Sequence, residues 1–115
     1  MTAAPIDLDH LARYTGGDRI LNTEFLRLFN GQVHNMVDEL LAVMQQRDVR
    51  KWRQVTHTLK GAARGVGAFA MGEAAAAAEP IDPALSQDRA IQVIETLRVE
   101  GEAVQAFIEE YLAAA

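Results

Sequence analysis

The sequence predicts an all-α fold: an antiparallel up-down four-helix bundle with a short extra N-terminal helix, in one domain over residues 1–115. Apolar residues recur at spacings of three and four along most of the chain, which is the repeat of one helix face. No segment alternates with period two for long enough to form a strand. The connections between helical segments are short, and short connections make neighbouring helices antiparallel.

Composition limits the classes of protein to which the chain can belong. Half of its 115 residues are apolar, which is enough for one hydrophobic core. There is no cysteine, so disulfides and thiolate metal sites are excluded. We expect a soluble cytoplasmic protein, because no apolar run reaches the roughly 18 residues of a membrane span and no signal-peptide pattern is present. The net charge of −5 argues against general nucleic-acid binding.

The first two helices are predicted from their start and stop signals. A short helix is expected over residues 7–14, between the start signal of Asp7 and the glycine pair at 16–17. Asp18 is a good N-cap for a second helix that runs to about residue 46.

The second helix has more apolar residues than one inward stripe needs. The inward stripe is predicted to contain Phe25, Phe29, Val33, Met36, Val37, Leu40 and Met44. Six further apolar residues widen this surface: Ile20, Leu21, Leu26, Leu28, Leu41 and Val43. We expect most of this excess to pack against the first helix, and the alternative is an exposed docking patch for a partner.

The third helix follows the connection at 47–48, ends at Gly67 as a cap with positive φ, and separates an apolar face from a polar one. The apolar face contains Val49, Trp52, Val55, Thr56, Leu59, Ala62, Ala63 and Val66. The opposite face contains Arg50, Arg53, Gln54, His57, Lys60, Gly61 and Arg64. His57 should therefore point to water.

Two more helices complete the predicted bundle. An alanine-rich helix is expected over residues 70–79. Asp82-Pro83 predicts an N-cap followed by a first-position proline, and the last helix then runs to about residue 112. Its inward seam contains Ala90, Ile94, Leu97, Gly101, Val104, Ile108 and Tyr111.

Positive charge is concentrated on the third helix. Six of the eleven Lys and Arg residues lie between Arg47 and Arg64, where only Asp48 opposes them. Cations gathered around one exposed histidine in an acidic protein indicate an anionic ligand or partner. A solvated basic face without a ligand is the alternative.

The neighbours of His57 favour a nucleophilic role over two others. Metal ligation and general-base catalysis need further ligands or an orienting acid, and no such residue lies within one turn. Nearby cations favour the neutral, nucleophilic imidazole and would stabilise an attached phosphoryl group. Lys60 lies within reach of that group, and Gly61 presents no side chain beside the ring. We expect the ring to lie in solvent, free of any carboxylate of its own chain. An ordinary surface histidine remains open on periodicity and charge alone.

The segment HTLKGAA at 57–63, followed by Val66-Gly67, resembles the signature of the histidine-containing phosphotransfer (HPt) domain family. That signature is H-x-L-K-G, two small residues, then an apolar residue and glycine. The resemblance extends to Asp48, to the long helix before the motif and to the long closing helix. It implies a four-helix bundle without kinase activity of its own, a histidine phosphotransferase only in the sense of a phosphocarrier.

The resemblance also assigns roles to residues. His57 would accept a phosphoryl group on Nε2 from the aspartyl phosphate of one receiver domain and pass it to another, in a two-component phosphorelay. Lys60 would stabilise the phosphoryl group, and Arg64 is a further candidate for this. The candidates for partner access are Gly61, Gln54 and Arg53.

The implied partners are receiver domains of response regulators or hybrid histidine kinases. They would dock on an apolar patch near the histidine that the preceding helix shares. The receiver would supply Mg²⁺, so no metal or cofactor is expected on this chain, and the family expectation is a monomer.

Two departures and two alternatives remain. Arg64 stands where the family usually has a small residue, and it could add charge to the phosphate site or select among receivers. The alanine run at 74–78 is plainer than the family's usual fourth helix.

A helical interaction module that binds a receiver or kinase without carrying phosphate is the alternative function, which the presence of both His57 and Lys60 disfavours. The phosphoacceptor bundle of a histidine kinase expects an acidic residue where this chain has Thr58.

Overall fold

The computed structural model describes residues 4–114, which form five α-helices and no strand. The helices are α1 (Leu8–Thr15), α2 (Arg19–Gln46), α3 (Val49–Val66), α4 (Phe69–Ala78) and α5 (Gln87–Ala113). The predicted all-α class is confirmed. The four later helices pack in a closed ring, in which each contacts the next and α5 contacts α2, while α1 packs on α2 and α3. None of the described helices is long and apolar enough to cross a membrane.

Most helix ends lie at the residues that the sequence predicts. The carboxylates of Asp7, Asp18 and Asp48 accept backbone N–H groups from the first turns of α1, α2 and α3. Gly16 and Gly67 end α1 and α3 in the left-handed conformation, with φ of 66° and 89°. These side chains and glycines satisfy backbone groups that a helix end leaves unpaired.

The predicted start of the last helix is wrong. Asp82-Pro83 begins a single turn, in which the Asp82 carboxylate accepts the N–H of Ala84 and its carbonyl accepts the N–H of Ser86. The helix itself begins only at Gln87. An aspartate before a proline favours one capped turn, and the local sequence does not distinguish such a turn from the start of a long helix.

The core lies between the inward faces of α2 to α5. Six residues of the predicted apolar face of α3 are buried: Trp52, Val55, Thr56, Leu59, Ala63 and Val66. On α5 the predicted seam is buried from Ala90 to Ile108, with Tyr111 half-buried. The indole Nε1 of Trp52 donates to the carbonyl of Ala78 at 2.9 Å. This bond fixes the end of α4 against the first turn of α3.

The predicted packing of α2 is wrong at its N-terminal half. Leu26 is buried, but Phe25 is 41% exposed and Leu28 is 63% exposed. Ile20, Leu21 and Leu41 are exposed as well. The reason is that α1 has only eight residues and covers little of a helix of 28 residues. The excess apolar residues of α2 are therefore mostly surface, and not core.

The segment before α1 is fixed to the end of α3. Ile6 is fully buried in the core. The N–H of Asp7 donates to the carbonyl of Gly67 at 2.9 Å. A Cβ atom at Gly67 would lie 2.6 Å from the Asp7 carbonyl oxygen, so only glycine allows this approach.

Candidate functional site

His57 stands on the outer face of α3, where its side chain is 70% exposed. Two neighbours in sequence, Thr56 and Leu59, are fully buried on the opposite face. Because the core fixes those residues, the rotation of α3 that directs the imidazole to solvent is fixed as well. The predicted exposure of the ring is confirmed.

A carboxylate nevertheless contacts the ring, so the expectation of a histidine free of acidic neighbours is wrong. Nδ1 of His57 lies 3.2 Å from Oε1 of Glu79. Oε2 of the same carboxylate accepts a hydrogen bond from Nζ of Lys60 at 2.6 Å. The Lys60 and Glu79 side chains are 21% and 29% exposed, less than the ring. The contact involves Nδ1, and the described residues provide no hydrogen bond to Nε2.

Glu79 was missed because it lies 22 residues after the histidine. Helical spacing relates His57 only to side chains within a turn or two of it, and Glu79 is the residue that follows the last turn of α4. The bond between Trp52 and Ala78 places this helix end beside α3. A glutamate that ends an alanine run just before Pro80 was a visible signal, but spacing along the chain does not reveal contacts between helices.

The state of Glu79 determines which nitrogen of the ring is free. The hydrogen bond from Lys60 lowers the pKa of Glu79, and the bond to His57 acts in the same direction against an opposing effect of burial. The carboxylate is therefore ionised at neutral pH and can only accept hydrogen bonds. The neutral imidazole must then hold its proton on Nδ1, which leaves the lone pair of Nε2 directed at solvent.

The residues predicted for partner access surround the ring without covering it. Gly61 lies one turn after His57, and a Cβ atom there would meet nothing within 4 Å. Gln54 and Arg53 are exposed on the preceding turn. Arg53 forms no salt bridge within residues 4–114. Their roles toward a partner remain predictions.

Arg64 lies apart from the cluster of His57, Lys60 and Glu79. It is exposed two turns further along α3, and its Cγ would lie 3.0 Å from a Cβ atom at Gly72 of α4. The structure therefore directs its side chain toward α4. The assignment of Arg64 to the phosphate site remains a prediction, as does that of Lys60.

An apolar groove opens one turn beyond Gly61. Its volume is about 330 Å³, and it lies between α1, α2 and α3. The lining residues are Leu11, Tyr14, Phe25, Leu28, Phe29, Gln32, Ala62, Gly65 and Val66. Two exposed apolar residues of α2 that the sequence placed in the core, Phe25 and Leu28, thus line a groove that begins one turn beyond Gly61.

No cluster of three or more His, Asp or Glu side chains that could hold a metal ion occurs in residues 4–114. The histidine is accompanied by one carboxylate and one ammonium group. This set of groups suits a phosphoryl carrier, in which a neutral ring nitrogen attacks and a nearby cation offsets phosphate charge.

The family to which the chain belongs follows from comparison with known proteins. A family model described as "Hpt domain" matches residues 24–114, a span that includes α3 to α5 and most of α2. Searches of curated proteins and of solved structures give no match. The matched span covers well over half of the 115 residues and contains the exposed histidine with its lysine and glycine. The chain therefore belongs to the Hpt domain family, and its role is phosphotransfer in two-component signalling.

Proposed function

We propose that this protein is a phosphorelay intermediate. His57 accepts a phosphoryl group from the aspartyl phosphate of one receiver domain and passes it to a second receiver. The observation that supports this most is the exposed Nε2, which has no hydrogen-bond partner among residues 4–114 while the ionised Glu79 holds Nδ1. The scaffold is an antiparallel up-down four-helix bundle, which accords with the closed ring of helix contacts.

The transfer step needs few groups from this chain. The lone pair of Nε2 attacks phosphorus, and the bond from phosphorus to the aspartyl oxygen breaks, with its electron pair leaving on that oxygen. The ring gains positive charge as the N–P bond forms, and Glu79 opposite the Nδ1 proton stabilises that charge. Lys60 has three donor hydrogens, so its ammonium can bind a phosphoryl oxygen while it keeps its bond to Glu79. The reverse sequence loads the second receiver.

The receiver docks over Gly61 and the apolar groove between α1, α2 and α3. The groove supplies apolar contact area, and Gly61 allows a partner backbone or side chain to approach the ring. The receiver contributes the Mg²⁺ ion and the acidic residues of the reaction. The cytoplasmic location, the monomeric state and the absence of a bound cofactor that the sequence leads us to expect are parts of this proposal.

Labelling by a phosphorylated receiver tests the role of His57. We expect the wild-type protein to acquire an acid-labile, base-stable phosphate and His57→Gln to acquire none. The bundle should stay folded by circular dichroism, because the replaced side chain is mostly exposed. His34→Gln is the matched control, since His34 is another exposed histidine on a helix. Label that persists in His57→Gln would refute the assignment, and receiver binding without any label would favour the alternative interaction module.

Binding of the receiver tests the role of Gly61. Gly61→Gln should reduce affinity by roughly tenfold or more, because a side chain would occupy the space beside the ring. Gly31→Gln is the control, since Gly31 is also a helical glycine with nothing within 4 Å of an added Cβ. Both substitutions raise helix propensity, so both proteins should fold. Equal affinities of the two variants, measured by isothermal titration calorimetry, would rule out the steric role.

A further inference from the structure

We propose that Arg64 selects among partners: its guanidinium binds an acidic side chain of the docked receiver, and does not bind the phosphoryl group on His57. This inference rests on the proposed function for the class of partner. It concerns the position at which the sequence departs from the small residue that the family signature usually has.

The first observation is the contact between Arg64 and α4. A Cβ atom at Gly72 would lie 3.0 Å from Cγ of Arg64 and 3.7 Å from Cβ of Ala63. Gly72 is buried inside α4, where glycine is less favourable than alanine. The neighbouring helix therefore lacks a side chain at the place where the stem of Arg64 lies. This seat fixes the direction of the arginine.

The second observation is the hollow that Arg64 lines. Its volume is about 550 Å³, and its lining residues are His10, Tyr14, Gly61, Arg64, Gly65, Phe69 and Glu73. His57, Lys60 and Glu79 are not among them. Arg64 lies seven residues after the histidine, roughly 10 Å along the helix axis. Arg64 thus lines a surface beside the proposed phosphorylation site that includes none of these three residues.

The chemistry of the hollow indicates its occupant. Arg64 forms no salt bridge within the described part of the chain, and Glu73 on the rim does not pair with it. Gly61 and Gly65 add no side chain to the lining, and Cβ atoms there would meet nothing within 4 Å, so this floor of the hollow is open. An unpaired guanidinium above an open floor suits a carboxylate from another molecule.

Three aromatic rings also line the hollow. The His10 ring lies 4.9 Å from the Phe69 ring and 5.8 Å from the Tyr14 ring, centroid to centroid, both edge-on. An aspartate or glutamate can thus place its carboxylate at Arg64 and its carbon stem against these rings. Glu73 repels a second acid, so the position of charge on the partner matters.

The hollow is continuous with the proposed docking groove. Tyr14 and Gly65 line both. A receiver that covers the groove therefore also covers the hollow. His10 and Tyr14 belong to α1, which lies outside the residues matched by the family model. The hollow that we propose as the selecting surface is thus lined both by α1, which lies outside the matched region, and by α3, which bears the histidine.

Two measurements separate partner selection from phosphate binding. The first is the half-life of phosphohistidine on the isolated protein, after labelling with phosphoramidate. The second is kcat/KM for transfer to a panel of receivers. Arg64→Ala should leave the half-life unchanged and lower kcat/KM roughly three- to tenfold for some receivers only, with the loss reduced at high salt. Lys60→Ala should shorten the half-life, and Arg89→Ala, which removes an exposed arginine of α5, should change neither.

A double-mutant cycle tests the seat on α4. Gly72→Ala keeps the charge of Arg64 but displaces its stem, so it should lower kcat/KM for the same receivers. In the Arg64→Ala background the same substitution should have no further effect on transfer. This pattern is expected only if Gly72→Ala acts through the position of Arg64. If Gly72→Ala instead weakened the packing of α4 in general, it would lower kcat/KM in both backgrounds.

Several outcomes would overturn the inference. A shortened half-life in Arg64→Ala would make the arginine a phosphate ligand. An equal loss with every receiver, no loss with any, or a Gly72→Ala effect that does not depend on Arg64 would each refute partner selection. Failure of the proposed function is distinguishable, since phosphoramidate labels His57 without a receiver and no receiver would then exchange phosphate with it.

Discussion

Glu79 holds two side chains of α3 at once, with one carboxylate oxygen on His57 Nδ1 and the other on Lys60 Nζ. At the scale of single residues this arrangement determines which ring nitrogen lacks a partner among the described residues. It also holds the lysine beside the ring. The proposed site is therefore preorganised by the residue that follows α4.

The lowered pKa of Glu79 predicts a pH-dependent contribution to stability. The unfolded chain takes up a proton on Glu79 near its ordinary pKa of 4.5, and the folded chain does so only at lower pH. The unfolded state thus binds more protons in that window, and the free energy of unfolding rises with pH. Wild type should have a higher Tm than Glu79→Gln above this window, and the difference should disappear as pH falls through the lowered pKa.

Thermal unfolding of both proteins from neutral pH to about pH 3 would measure this difference. Glu73→Gln is the matched control, because Glu73 is an exposed glutamate of α4 that makes no ion pair within residues 4–114. The difference in Tm between wild type and Glu73→Gln should not disappear over the same pH range. A Glu79→Gln variant whose deficit is the same at every pH would show that the ion pair does not stabilise the fold.

At the scale of elements, the contact of Asp7 with Gly67 positions α1. The backbone bond between these residues and the buried Ile6 hold the segment before α1 against the end of α3. The carboxylate of Asp7 then caps α1. His10 and Tyr14 lie in the two turns that follow Asp7. A shift of the backbone at Gly67 would therefore move the two α1 residues that line the hollow at Arg64.

Gly67→Ala should therefore cost more than its backbone conformation alone requires. We expect a loss of about 2–4 kcal/mol in the free energy of unfolding, against about 1–2 kcal/mol for Gly16→Ala. Both glycines have positive φ, but an added Cβ meets the Asp7 carbonyl at Gly67 and nothing at Gly16. Chemical denaturation measures both values. Equal losses would mean that the contact with Asp7 relaxes without cost.

At the scale of the whole molecule, features of local sequence were predictable and contacts across the bundle were not. Asp18 and Asp48 start helices and Gly67 ends one because capping depends on a few adjacent residues. The outward position of His57 followed from helical periodicity in the same way. These two rules predicted most helix ends, most of the core and the exposure of His57.

The features that the sequence analysis missed depend on distances between elements. Phe25 shares a helical stripe with core residues, yet it is exposed because α1 is too short to cover it. Glu79 contacts His57 because α4 packs along α3 and the Trp52 bond holds its end there. Periodicity assigns each residue to a face of its own helix, and it does not specify how far the neighbouring helix extends.

Trp52 also makes the site accessible to fluorescence measurements. It is the single tryptophan of the chain, it is fully buried, and its indole donates to the residue just before Glu79. Its fluorescence therefore reports on the contact between α3 and the end of α4, where Glu79 meets His57. The protein thus contains an intrinsic optical probe of the proposed phosphorylation site, and no dye or label has to be attached to observe it.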